Sequence, residues 1–358
     1  MKKGIRVLLE ILIFGLTYGG VIVIILTYLK LFKKKLSKFS VLLPLCIMGF
    51  LFILLIIFQF SWDWGYSVLY ILFVSFIGLG LHVLFFCCIL LLVFICVKDM
   101  NKWIGLIVIC VVPVLYSTYG FIIPRIIKIE KVELSHHAYN CLTPLKILQL
   151  SDVHLGAVYQ KSFVNTIVNK ILKNEPDIVV ITGDFFDDSL DVKDKWLEPF
   201  EKVKVPILFS AGNHDCYYDK KDVVKMLNKT KIIYLNKDVY EFKGVRFIGI
   251  DYDEDLYESL DKLKDKLDDQ MPNVLLLHVP EAPKKLKKHN IFLCLSGHTH
   301  NGQVFPGNII GRIGYECMNG LYKSNNTYTY VNSGVGDTFF PMRTFTRSKI
   351  SIITIKAQ

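Results

Sequence analysis

Hydrophobic positions along this chain follow two different rhythms. Up to Ile127 they run almost unbroken, over Val7 to Leu29, Phe39 to Phe60, Tyr66 to Val97 and Trp103 to Ile127. Each run reaches the ~20 residues that a helix needs to cross a hydrocarbon core. The pattern predicts an all-α, four-helix transmembrane region over residues 1–127. It is read as uncleaved, because the first run is too long for a signal peptide and further apolar runs follow it. A linker over 128–144, with Ser135, His136, His137 and Thr143-Pro144, separates this region from the rest.

From residue 145 to 358 the rhythm shortens. Strand-like runs at Leu145–Leu150, Ile178–Thr182, Pro206–Ser210, Lys231–Leu235, Val245–Ile250, Val274–Leu277 and Ile291–Leu295 alternate with helical patterns at Phe163–Lys173, Lys221–Asn228 and Leu256–Leu267. Apolar strand, polar loop and helix, repeated, predict an α/β layered domain. In such folds ligands bind at the carboxyl ends of the strands.

Charge changes the picture of the first region more than that of the second. Of the formal net charge of +10, the first 127 residues hold eleven Lys and Arg against Glu10, Asp63 and Asp99, so the second region is nearly balanced. Basic residues between apolar runs point to membrane topology, and no basic patch interleaved with aromatics supports nucleic-acid binding. The five lysines of KLFKKKLSK, Lys30 to Lys38, place that loop in the cytoplasm by the positive-inside rule. Four crossings then put both ends, and the second domain, outside a cell membrane that the chain crosses several times, while Lys2, Lys3, Arg6, Arg125, Lys128 and Lys131 beside the first and last runs leave the opposite orientation open. Five of the nine cysteines lie in the apolar runs; Cys141, Cys216, Cys294 and Cys317 have no CxxC spacing. Zinc-ribbon chemistry finds no support there.

The strand ends carry an unusual set of side chains. Asp152-x-His154, Gly183-Asp184, Gly212-Asn213-His214-Asp215, His278 and Gly297-His298-x-His300 each follow an apolar run. Carboxylate, imidazole and amide oxygen without thiolate favour manganese, iron, zinc or magnesium. The donors are numerous enough for two ions, which together clamp the attacking and leaving oxygens of a displacement at phosphorus.

In order, DxH, GD, GNHD, a lone His and GHxH resemble the motifs of the calcineurin-like metallophosphoesterase superfamily over about Leu145 to Gln303. The stretch GHTHNGQVFPG and the later Ser333-Gly334-Val335-Gly336 are similar to its membrane-anchored bacterial branch, which carries GHTHGGQ. The resemblance implies a two-layer β-sandwich flanked by helices. It implies that Asp152, His154, Asp184 and His300 hold one divalent ion, manganese first among the alternatives, and Asp184, Asn213, His278 and His298 a second. Asp184 would bridge the ions and a bridging hydroxide would attack phosphorus. His214 would stabilise the transition state or protonate the leaving oxygen, and Asp215 would orient His214.

This chain has Asn301 where the branch has glycine; asparagine tolerates positive φ, so the turn can survive. The expected substrate is a phosphorylated small molecule or a phospholipid-like compound beside the bilayer. One part of the family cleaves the pyrophosphate of UDP-2,3-diacylglucosamine in lipid A synthesis, an alternative that requires a cytoplasmic domain. A transporter or sensor with a regulatory phosphoesterase is a different class of reading. Against it, the apolar runs contain almost no ionisable residue beyond Glu10 and His82.

Overall fold

The computed structural model describes residue 18 and residues 68–96, 102–187, 192–217 and 220–358. The chain divides into two compact units, residues 1–122 with 339–342, and residues 123–338 with 343–358.

In the first unit, helices α1 (Val68–Cys96) and α2 (Lys102–Ile122) pack along each other. Buried His82 and Ser117 meet between them, Nδ1 to Oγ at 2.9 Å, and the Tyr116 ring stands edge-on to the imidazole. Among the described residues no helix is long and apolar enough to cross a membrane, which overturns the expected four-helix transmembrane region. The apolar face of α1 is interrupted by His82, whose polar edge meets Ser117 of the neighbouring helix. The runs at 7–29 and 39–60 lie outside the described residues, Tyr18 apart.

Among the described residues, the second unit is built on twelve strands. In chain order they are β1 (Lys128–His136), β2 (Leu145–Leu150), β3 (Ile178–Thr182), β4 (Ile207–Ser210), β5 (Ile232–Tyr234) and β6 (Asp238–Phe242). Then come β7 (Val245–Ile250), β8 (Asn273–Leu277), β9 (Leu293–Ser296), β10 (Gly320–Ser324), β11 (Thr327–Val331) and β12 (Lys349–Ala357). They form two mixed six-stranded sheets, ordered β1-β12-β2-β3-β4-β5 and β10-β11-β9-β8-β7-β6. Strands β2 to β5 are parallel, as are β7, β8, β9 and β11.

Period-two alternation assigns each strand's side chains to two cores. Leu145, Ile147, Ile178, Val180 and Leu208 of the first sheet pack with Phe247, Val274, Leu276, Leu293, Leu295 and Tyr330 of the second. Their neighbours Leu148, Leu150, Val179, Ile181, Ile207 and Phe209 point the other way, onto helix α3 (Lys161–Asn174). That helix meets them with Val164, Ile167, Val168 and Ile171, spaced as one helical stripe. It ends at Glu175 in the left-handed region, whose N–H reaches the Ile171 carbonyl. Helix α4 (Lys220–Leu227) adds Val223 and Leu227 to the same core.

On the far face of the second sheet, Ile248, Ile250, Leu275 and Leu277 pack on Leu260 and Leu263 of helix α5 (Leu256–Leu263) and Leu286 of helix α6 (Pro283–Leu286). Each buried aliphatic side chain contributes about 1.5–3 kcal/mol, so the layers are held mainly by these faces. The helical pattern predicted over Leu256–Leu267 stops as an α-helix at Leu263, where a 3₁₀ turn takes over. The segment read as a linker holds β1, which pairs in parallel with β12 from Lys128↔Lys349 to His136↔Ala357.

Candidate metal centre

The loops after β2, β3, β4, β8 and β9 converge on one place. Asp152 and His154 follow β2, Asp184 follows β3, Asn213, His214 and Asp215 follow β4, His278 follows β8, and His298 and His300 follow β9. Most of these are buried, while His214 and His298 stand partly open. All nine residues singled out in the sequence are therefore brought to the same end of the two sheets.

Their donor atoms are spaced as ligands are. His300 Nε2 lies 3.2 Å from His154 Nε2 and 3.3 Å from Asp152 Oδ1. His278 Nε2 lies 3.1 Å from Asp184 Oδ2, and His298 Nδ1 lies 3.0 Å from Asn213 Oδ1 and 3.3 Å from His278 Nε2. Asp184 Oδ2 stands 3.9 Å from the Nε2 atoms of both His154 and His214, which joins the two groups. Two ligands about 2.1 Å from one cation and at right angles lie about 3 Å apart. A hydrogen bond between imidazoles satisfies one pair of nitrogens only, whereas a cation between them satisfies every converging lone pair. The clusters Asp152/His154/His300, His154/Asp184/His214 and Asp184/His278/His298 thus fit divalent metal, and together they support two ions.

The backbone is bent to make this possible. Asp152, His154, Asp184, His298, His300 and Asn301 all have φ between 47° and 68°. A non-glycine residue held there costs on the order of 1–3 kcal/mol, and such costs collect where function fixes the geometry. Gly297 answers a different need: a Cβ there would collide with Ser151 Oγ and Asp152 Oδ2. Its absence lets the β9 loop lie on the β2 loop, where the His298 N–H donates to both Asp152 oxygens at 3.0 and 3.2 Å. The His278 ring is anchored by its Nδ1–H donating to the Thr182 carbonyl at 2.9 Å.

Electrostatics follow from this crowding. Burial works against the charged form of His278, but the carboxylates of Asp184 and Asp152 outweigh it and raise its pKa to about 9. Burial and the His278 charge push His298 down to about 4. Burial, helped by His214, also lowers His154 well below the usual imidazole value. Asp152 and Asp184 are buried, which opposes ionisation, yet the surrounding histidines hold both well below the usual carboxylate range. Without metal, the carboxylates that face His278 thus favour its protonated form.

Asp215, expected to orient His214, is anchored to backbone groups of two loops. It is buried, and its oxygens accept from the N–H groups of Phe185 (3.3 Å), Phe186 (2.9 Å) and Gly212 (2.8 Å). It therefore staples the β3 loop to the β4 loop. Burial and then the charge of Asp184 push its carboxyl up to about 7. His214 donates its backbone N–H to Asp184 Oδ1 at 2.9 Å and sets its ring edge-on to His154, 4.7 Å between centroids.

Three residues at the centre were not singled out in the sequence. Asp187 Oδ1 lies 3.8 Å from His154 Nδ1 and 4.0 Å from His214 Nδ1; the second acid of GDFFD, three places after Asp184, was its only local signal. Fully buried Arg343 pairs with Asp337 at 2.6 Å, donates to the carbonyls of Ser333 and Gly336, and brings Nη2 to 3.2 Å from His300 Nδ1. Tyr315 Oη lies 2.9 Å from His298 Nε2. Nothing in the local sequence around Arg343 or Tyr315 marks either residue.

Comparison with known proteins agrees with the geometry. Residues 145–302 match the family described as calcineurin-like phosphoesterase. An uncharacterized metallophosphoesterase of Helicobacter pylori is 34% identical over 59% of this chain and 60% of its own length. A Danio rerio relative named as a transmembrane protein with metallophosphoesterase domain is 30% identical, over 65% of this chain and 57% of its own. The uncharacterized metallophosphoesterase YkuE of Bacillus subtilis is 29% identical over 67% of this chain and 90% of its own. The chain thus spans about three fifths of the length of the first of these relatives. Residues 145–302 are thus similar to calcineurin-like phosphoesterase domains.

Proposed function

We propose that this protein is a metal-dependent phosphoesterase that hydrolyses a phosphorylated small molecule or a phospholipid-like compound, in association with a membrane. The observation that carries the reading is the convergence of Asp152, His154, Asp184, Asn213, His278, His298 and His300 with donor atoms about 3 Å apart. Asp152, His154, Asp184 and His300 would hold one ion, and Asp184, Asn213, His278 and His298 the other. Manganese suits this nitrogen and oxygen donor set, as do iron, zinc and magnesium. Two ions so held supply charge to the attacking and leaving oxygens at phosphorus and activate a water.

The chain's own residues do the rest. The His214 side chain is 14% exposed, at the mouth of the centre, where it can deliver a proton to the leaving oxygen. A positioned acid of this kind is worth about 10²–10⁴-fold. Asp215 keeps the loops bearing Asp184 and Asn213 at fixed separation through its three backbone hydrogen bonds. Nucleic acid is not among the substrates proposed, since the second half of the chain is nearly neutral. Membrane association is supported by the apolar first region and by the name of the Danio rerio relative.

The test uses full-length protein stripped with a chelator and reloaded with Mn²⁺ or Mg²⁺, offered an aryl phosphomonoester, an aryl phosphodiester and a pyrophosphate. Hydrolysis of at least one bond type, lost on stripping and regained on reloading, is expected. A reloaded protein that turns over none of them sinks the reading.

A further inference from the structure

The segment beyond the matched family region sends one group back toward the centre. Helix α7 (Gly307–Gly314) ends at Tyr315, whose N–H closes on the Gly311 carbonyl at 2.9 Å. The half-buried Tyr315 ring stands edge-on to His298, 5.8 Å between centroids, with Oη 2.9 Å from Nε2. The other nitrogen of His298, Nδ1, faces Asn213 Oδ1 and His278 Nε2.

The two nitrogens of an imidazole have linked roles. When Nδ1 gives its lone pair to a cation, Nε2 carries the proton and needs an acceptor, and outer partners of this kind fix both tautomer and ring orientation. Tyr315 Oη stands where that N–H points. The two histidines of this subsite are anchored in different ways. His278 donates to the Thr182 carbonyl, a backbone atom that no substitution removes. His298 rests on a side-chain hydroxyl, so deleting one oxygen removes its anchor.

We propose that Tyr315 is the positioning residue of the subsite formed by Asp184, Asn213, His278 and His298, where it holds the tautomer and ring plane in which His298 Nδ1 faces the ion. This rests on the metal centre proposed above.

The experiment titrates Mn²⁺ into stripped full-length protein, wild type and Tyr315→Phe, and resolves the two sites by calorimetry and by electron paramagnetic resonance. Tyr315→Phe is expected to weaken one site by roughly 10–100-fold and leave the other, with Asp152, His154 and His300, unchanged. The stripped proteins should show the same circular dichroism and Tm. Equal affinities in variant and wild type overturn the proposal, and so does weakening of both sites together with a lowered Tm, which marks a structural role. A wild-type protein that binds no Mn²⁺ removes the metal-centre reading itself, an outcome distinct from either.

Discussion

The two sheets bring different chemistry to one seam. Loops after β2, β3 and β4 carry the carboxylates Asp152 and Asp184, with Asn213, His154 and His214; loops after β8 and β9 carry imidazoles alone, His278, His298 and His300. The first set holds one ligand group by itself, His154, Asp184 and His214, but the other two groups each need an imidazole from the second set, which has no carboxylate of its own. The links between them include His298 N–H to Asp152, His278 Nδ1 to the Thr182 carbonyl, and the shared apolar layer between the sheets. The centre is thus a property of how two sheets register on each other.

The comparison is broken most severely at Asp184, which the acidic side lends to both subsites. Asp184→Ala should lower hydrolysis by several kcal/mol of barrier, on the order of 10³-fold or more. His298→Ala, which empties one position of one subsite, should cost less. Initial rates at saturating Mn²⁺ check this; an equal or larger loss from His298→Ala ends the claim that the acidic side is shared.

A smaller effect is expected from the seam itself. In Gly297→Ala the new Cβ meets Ser151 and Asp152, and overpacking of this kind costs about 1–3 kcal/mol. Thermal unfolding of the stripped protein should show a lowered Tm, with weaker Mn²⁺ binding beside it. An unchanged Tm would mean that the loops slide freely past each other.

Smaller still is the response to pH. Without metal His278 is protonated up to about pH 9, because its carboxylate partners outweigh burial, whereas His298 is already neutral above about pH 4. An ion entering the second subsite near neutrality displaces the His278 proton. Apparent affinity should therefore fall by about tenfold for each pH unit below 9 and level off above it. Mn²⁺ titrations at several pH values measure the slope, and a flat profile near neutrality means that no His278 proton is displaced there.

Much of this was legible because parallel strands buried on both faces read as unbroken apolar runs. Ile178–Thr182 is buried at every position, and Gly183-Asp184 follows directly. The same held for the donors after β2, β8 and β9. β1 escaped notice because KIEKVELSH alternates charged and apolar residues in half-exposed positions at a sheet edge. Tyr315 and Arg343 escaped for another reason, since each matters through a partner, His298 or Asp337, that only the fold brings near.

The transmembrane expectation rested on a count of apolar residues, which does not register a polar contact between helices such as His82–Ser117. Asn301, chosen from sequence as the departure from glycine, does stand in the left-handed region at φ 51°, ψ 36°.

One feature of the first sheet bears on time rather than on chemistry. β12 lies between β1 and β2, parallel to one and antiparallel to the other. In a chain made from its amino end, β2 is complete at Leu150 and its neighbour begins at Lys349. At 5–20 residues per second, the ribosome takes roughly 10–40 s to cover that interval. Through all of it the outer edge of β2 is without its partner strand, and such an edge can pair with another chain. The sheet that holds Asp152 and Asp184 in place is finished only by a strand made long after β2, and until that strand arrives it is open to whatever shields the edge.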